Sequence, residues 1–209
     1  PIKKHFSLFA AILGLLPVAL PAAESSPQAE KKPNIIFILL DDMGIGDISA
    51  YGCKYGLTPN IDRLAAEGMK FNSAYSGSAV CAPSRCVLMT GQHTGHVLRR
   101  SNQSKVGLLS LPAEQPTVAR LLKKAGYATG GFGKWGLGNP GTTGVPENLG
   151  FDVFFGYYDQ VHAHEYYTDY LVRNSVKVPY QQSGNHTWQD YSHTHIVDET
   201  LKFIEENKD

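Results

Sequence analysis

One segment constrains the fold more than any other: the apolar run Asn34-Ile35-Ile36-Phe37-Ile38-Leu39-Leu40, closed at once by Asp41-Asp42. It is rich in β-branched residues and shows no polar alternation. Such a run reads as a strand buried on both faces, as in a parallel sheet covered by helices. In open α/β sheets, ligands bind outside the carboxyl ends of strands, so two carboxylates at this end are well placed for chemistry. The following segments fit the same architecture. Thr58-Pro59 has the form of a helix N-cap with Pro at the first helical position. Ile61, Leu64 and Ala65 follow at helical spacing, and Gly68 is suited to a left-handed stop. Phe71–Tyr75 reads as a short strand or extended segment, and Pro83–Thr90 as a helix. Thr117–Gly126 reads as a capped amphipathic helix, and Tyr127–Phe132 as the next strand, with Gly133-Lys134 at its end. Residues 139–195 read as long loops with one short strand near Tyr170–Arg173. His195–Glu206 reads as a last helix, with Ile196, Leu201 and Ile204 on its apolar face. This alternation implies parallel crossovers. The expected class is α/β, a mostly parallel sheet sandwiched by helices.

The 42% hydrophobic and 18% charged content suits an ordinary packed core. Nineteen basic residues balance nineteen acidic ones. A neutral chain lacks the basic face that nucleic acid requires, so nucleic acid is not expected as a partner. Residues 1–23 read as a signal peptide: basic Lys3-Lys4, apolar Phe6–Leu16, then small Ala19, Ala22 and Ala23. The apolar part is shorter than the roughly 20 residues of a membrane span and is broken by Pro17 and Pro21. No stable span is expected, and the protein should be secreted or periplasmic. Residues 24–33 read as a disordered linker. The chain opens on Pro1, and its last residues continue a helical pattern. Both ends are expected to be boundaries within a longer protein, with 34–209 the first part of a catalytic domain.

The cysteines are Cys53, Cys81 and Cys86, and an odd count in an exported protein leaves at least one thiol unpaired. Cys81 opens the pentapeptide Cys81-Ala82-Pro83-Ser84-Arg85. Pro83 suits a first helical turn, whose N-terminus would then favour negative charge at Cys81. Arg85 would add a fixed cation with several donors. On residues alone, Cys81 is a buried thiol or an activated nucleophile. Asp41 and Asp42 are hard oxygen ligands without a neighbouring Cys or His. That suits Ca²⁺ or Mg²⁺ better than Zn²⁺, unless the pair is merely a polar turn. Lys134, between glycines at a strand end, is an oxyanion-binding point charge or a solvated lysine. Among the loop histidines, His93 and His164 are the candidates for ligand contact. The aromatic segment Tyr157, Tyr158, Tyr166, Tyr167, Tyr170 and Trp188 suits sugar faces and ordinary packing equally. Asn102-Gln103-Ser104 and Asn185-His186-Thr187 match glycosylation acceptors.

Asp41-Asp42, then Cys81-Ala82-Pro83-Ser84-Arg85, then Gly133-Lys134-Trp135-Gly136-Leu137-Gly138 form an ordered set. From about Lys32 onward it resembles the N-terminal half of formylglycine-dependent, arylsulfatase-like sulfatases of the alkaline phosphatase superfamily. The resemblance implies that a formylglycine-generating enzyme oxidises Cys81 to formylglycine. The hydrate of that aldehyde would attack a sulfate ester, with sulfated sugars or polysaccharides as substrates, in a two-step covalent hydrolysis. It implies Ca²⁺, with Mg²⁺ as the other option, held by Asp41, Asp42 and residue 81 together with a later Asp-Asn type pair. It further implies that Arg85 holds the formylglycine and Lys134 a sulfate oxygen. His93 lies in a loop that the family brings near the site. His164 could contact a sugar. A later His would act as general acid. Gly136 departs from the pattern: the family carries a His there, which contacts the formylglycine or the sulfate. That contact is lost or supplied from elsewhere. A phosphodiesterase or phosphonate hydrolase of the same superfamily is one alternative. A non-catalytic sulfated-glycan-binding homologue is another.

Overall fold

The computed structural model describes residues 32–102, 110–180 and 190–209. The chain divides into two compact units, Pro1–Phe37 and Ile38–Asp209. The expected signal peptide at 1–23, most of the expected linker, Gln103-Ser104, Asn185-His186-Thr187 and Trp188 lie outside the described residues. No helix among the described residues is long and apolar enough to cross a membrane.

The second unit is built on a four-stranded sheet of order β1-β2-β3-β4. Its strands are β1 (Gly130–Lys134), β2 (Val153–Tyr157), β3 (Tyr170–Arg173) and β4 (Val176–Pro179). β1 and β2 run parallel, with Lys134 opposite Tyr157. β2–β3 and β3–β4 are antiparallel, so the described sheet is mixed rather than mostly parallel. The α/β class holds. Phe154 and Val172 face one cluster, which includes Cys86, Trp135, Leu137, Leu149 and Tyr158. Phe155, Tyr157 and Leu171 face the other, with Ile196. That alternation is the two-residue period of strands buried on both faces. The β1–β2 rung of Gly133 and Gly156 has unusual backbone, with φ of 105° and 147°. A Cβ on Gly156 would sit 2.1 Å from the Gly133 carbonyl oxygen, so only glycine fits there.

Four α-helices lie among the described residues: α1 (Pro59–Glu67), α2 (Cys81–Thr90), α3 (Val118–Lys124) and α4 (Ser192–Asn207). α2 supplies Cys86, Val87 and Met89 to the first cluster, and α4 supplies Ile196 to the second, so helices cover both sheet faces. Thr117 caps α3 as expected, its Oγ1 accepting from Arg120 N at 3.2 Å. Thr58 does not cap α1. Its Oγ1 donates to Asp62 Oδ1 at 3.0 Å and accepts from Ser49 N at 3.0 Å. Gly68 ends α1 at φ −122°, outside the left-handed region expected of it. α4 begins at Ser192, three residues before its expected start.

The strand expected over 34–40 is absent, as is the strand option for 71–75. Ile35 to Leu40 are 41–68% exposed. The pattern correctly marks a segment that needs covering, but a ladder also needs a neighbouring strand, and no described residue supplies one. β3 falls on the one short strand expected at Tyr170–Arg173, whereas β2 and β4 lie within the region expected to be loop. Val153-Phe154-Phe155 is an apolar run that long Gly- and Tyr-rich flanks conceal.

Candidate active site

α2 begins at Cys81 itself, with Val80 extended before it and Ser84 N closing the first turn on Val80 O at 3.0 Å. Pro83 sits in that first turn, where its missing N–H costs nothing. Ala82, Pro83 and Cys86 are buried, while Cys81 stays partly accessible. Asn102 braces this helix start: Ala82 N donates to its Oδ1 at 3.0 Å, and its Nδ2 lies 3.8 Å from Cys81 Sγ. The cysteines are free thiols, and burial pushes the Cys86 thiol up, away from reactivity. Cys81 is thus the accessible sulfur at a helix N-terminus, while Cys86 belongs to the core.

One turn further on, Arg85 reaches away from the helix. Its Nη1 donates to the Lys134 carbonyl oxygen at 2.5 Å, and its Nη2 pairs with Asp41 Oδ2 at 3.2 Å. Lys134, the last residue of β1, places Nζ 2.5 Å from the same Asp41 oxygen. Lys134 is therefore not a solvated surface lysine: its side chain is 11% exposed and that of Arg85 14%, against 40% for Asp41. Burial raises the Asp41 carboxyl, but the hydrogen bond and charge of Lys134, with those of Arg85, outweigh it and hold the carboxyl below its usual value. Three elements far apart in sequence thus meet at one carboxylate oxygen. Arg85 is directed at Asp41 and the β1 backbone, a role the sequence did not indicate.

The metal expectation fits these residues in chemistry and only partly in arrangement. Asp42 has a left-handed backbone, φ 58°, which is strained for a non-glycine residue and is tolerated best by Asp and Asn. Its carboxylate makes no hydrogen bond or ion pair among the described residues. Two adjacent hard-oxygen groups suit Ca²⁺ or Mg²⁺. No cluster of three or more His, Cys, Asp or Glu side chains able to hold an ion exists among the described residues, and Asp41 is engaged by two cations. Asp41, Asp42 and residue 81 could therefore supply only part of a coordination shell.

The histidine candidates do not join this cluster. His93 is exposed, and its Nδ1 accepts from Gly95 N at 3.1 Å within its own turn. His164 is exposed in a short 3₁₀ turn, His162–His164. Its neighbour His162 is the structural one, hydrogen-bonded to Thr168 Oγ1 at 2.6 Å and packed on Tyr157 and Tyr170. Of the aromatic segment, Tyr157 and Tyr158 are core residues, whereas Tyr166 and Tyr167 are exposed. Sequence reasoning missed Asn102 and Gln160. Gln160 lies beside Gly136, and the absent side chain at 136 was the one available signal.

The sulfatase family profile matches residues 33–209. An arylsulfatase of Hemicentrotus pulcherrimus is 36% identical over 200 residues, 84% of this chain and 35% of the relative. An N-acetylgalactosamine-6-O-sulfatase of Bacteroides thetaiotaomicron is 42% identical over 137 residues, 61% of this chain and 27% of the relative. The crystal structure of Ps i-CgsB superposes with a TM-score of 0.71 at 29% identity, covering 84% of this chain and 42% of that one. A protein solved in complex with its substrate D-glucosamine-2-N,6-O-disulfate superposes with a TM-score of 0.67 at 30% identity, covering 84% of this chain and 31% of that one. The chain spans about a third of the length of the curated relatives it matches. With its three motifs brought to one place on an α/β scaffold, this chain belongs to the sulfatase family.

Proposed function

We propose that the protein hydrolyses sulfate esters of sulfated sugars or polysaccharides, using a formylglycine made from Cys81. One observation carries the reading: two largely buried cations, Arg85 and Lys134, converge at the end of β1, and Arg85 rises from the helix that Cys81 opens. A tetrahedral oxyanion needs such a fixed cationic cradle, and a water-poor setting strengthens it. The helix N-terminus favours negative charge developing at residue 81. Asp41 holds both cations in place before substrate arrives. The sugar-directed part of the reading rests on the N-acetylgalactosamine-6-O-sulfatase relative and on the neighbour solved with a sulfated glucosamine.

The formylglycine, once formed by a formylglycine-generating enzyme, supplies a geminal diol as nucleophile. A Ca²⁺ held by Asp41, Asp42 and residue 81 would supply charge that polarises ester oxygens. The leader at 1–23 supports export to the periplasm or the medium. The test is direct. The full-length protein, co-expressed with the modifying enzyme, should show an aldehyde at position 81 by peptide mass spectrometry. It should release sulfate from an aryl sulfate and from a 6-sulfated amino sugar. An aldehyde-bearing protein that cleaves phosphate diesters and leaves sulfate esters intact would overturn the reading. Mature protein that keeps residues 1–23 inside the cell would overturn export.

A further inference from the structure

Gln160 stands three residues beyond β2 with its side chain buried. The residue is 6% exposed, yet neither Oε1 nor Nε2 has a hydrogen-bond partner. Folded proteins rarely bury a carboxamide with both ends unmatched, and such a group calls for an explanation. The surroundings supply one. Trp135 N and Gly136 N donate to the carbonyls of Tyr157 and Tyr158, which extends the β1–β2 contact and brings the chain at 160 across position 136. A Cβ on Gly136 would lie 2.3 Å from Gln160 Oε1 and 3.9 Å from Arg85 Cδ. Gly136 also has φ +77°, which disfavours any side chain there. The Gln160 carboxamide therefore fills the space that a side chain at 136 would take, alongside the Arg85 stem. Arg85 Nε is itself buried without a partner. Gln160 thus carries an unmatched acceptor, Oε1, facing position 136, and an unmatched donor, Nε2, and a half-turn about its last torsion exchanges the two.

We propose that Gln160 is a substrate-binding residue. With the carboxamide turned in this way, its Nε2 donates to a sulfate oxygen bound by Arg85 and Lys134, providing the polar contact that Gly136 cannot make. A sulfate group only accepts hydrogen bonds, so the amide donor, rather than its oxygen, makes the contact. The inference rests on the sulfatase reading for the identity of the anion.

The experiment measures inorganic sulfate binding to the full-length protein by calorimetry at constant ionic strength, alongside aryl sulfate turnover. Gln160→Ala should weaken sulfate binding about ten- to a hundredfold, as expected for a hydrogen bond to a charged group. Gln160→Glu, nearly isosteric but anionic, should abolish it while the sulfate-free melting temperature stays close to wild type. If Gln160→Ala does not fold, Gln160→Glu decides alone. Unchanged sulfate affinity in the folded variant overturns the proposal and leaves Gln160 as packing satisfied by water. Gln160-dependent sulfate binding without ester turnover by wild type would sink the hydrolase reading and leave this one. Turnover with sulfate affinity indifferent to position 160 would do the reverse.

Discussion

Asp41→Asn removes the charge from the carboxylate that Arg85 and Lys134 share and keeps its shape. At an effective dielectric of about 20, two unit charges about 4 Å apart attract by about 4 kcal/mol before any solvation cost. The net effect is smaller. Exposed pairs are worth about 0.2–1 kcal/mol, while leaving a buried partner unpaired costs about 3–5 kcal/mol. Here the cations are 11% and 14% exposed and the anion 40%. That mixture places the loss at about 2 kcal/mol for both pairs together, most of it from the stranded cations. The assay is urea unfolding of metal-free protein in chelator, read as a lower midpoint at unchanged slope. The pH dependence gives an independent check. Burial raises the Asp41 carboxyl, but Lys134 and Arg85 pull it further down, below the ordinary 3.8. The folded state thus favours the ionised form. The stabilisation is complete above 3.8 and is lost as pH falls through the lower folded value. Wild type and Asp41→Asn should differ equally at about pH 7 and pH 5 and converge as pH falls well below 3.8. Equal midpoints at neutral pH would refute the reasoning, as would a gap that survives protonation.

Further outcomes follow from other sites. Cys81→Ala should abolish sulfate release while moving stability by less than about 1 kcal/mol, because Cys81 is only partly buried; urea midpoints and sulfate assays on the same preparation check both. Exhaustive chelation, or Asp42→Ala, should remove turnover while far-ultraviolet dichroism stays constant, and activity that persists without metal would contradict the proposed ligand pair. Gly156→Ala forces a Cβ to 2.1 Å from the Gly133 oxygen at φ +147°; it should cost about 3 kcal/mol or more, measured as lost soluble yield and a lower melting point. Tyr158→Phe removes a hydroxyl that donates to Glu147 Oε2 at 2.8 Å and accepts from Ser175 N at 2.9 Å; calorimetric unfolding should show a loss of about 1–2 kcal/mol.

The parts of this protein that sequence made readable are those whose signals are local. Pro59 at a helix start, Thr117 as a cap and Cys81–Arg85 as the opening of a helix each depend on residues within one turn. The site was readable as ingredients: Asp41, Arg85 and Lys134 were singled out separately. Their meeting at one oxygen was not, because it depends on where the fold sets Arg85 of α2 relative to the end of β1 across long separations. Thr58 shows the same limit at small scale, since tertiary contacts with Ser49 and Asp62 displaced its expected cap. β2 escaped notice because its apolar run, Val153-Phe154-Phe155, is only three residues long and ends at Gly156, too short for periodicity to announce a strand. Gln160 escaped because nothing about a lone glutamine in a loop foretells burial beside a glycine.

The rung formed by Gly133 and Gly156 bears on how accurately Lys134 is set. Both strands leave regular β geometry at the same rung, immediately before Lys134 pairs with Tyr157. Because the two bends coincide, the ladder can turn there as a unit. A slip of one residue would set each bent glycine against a straight neighbour and would turn the inward side chains of β1 outward. The mismatch acts as a steric check on alignment, enforced by absent side chains rather than by any attraction. An ammonium one residue past that check inherits its precision, so errors in strand alignment are rejected by backbone shape before they could misplace the charge.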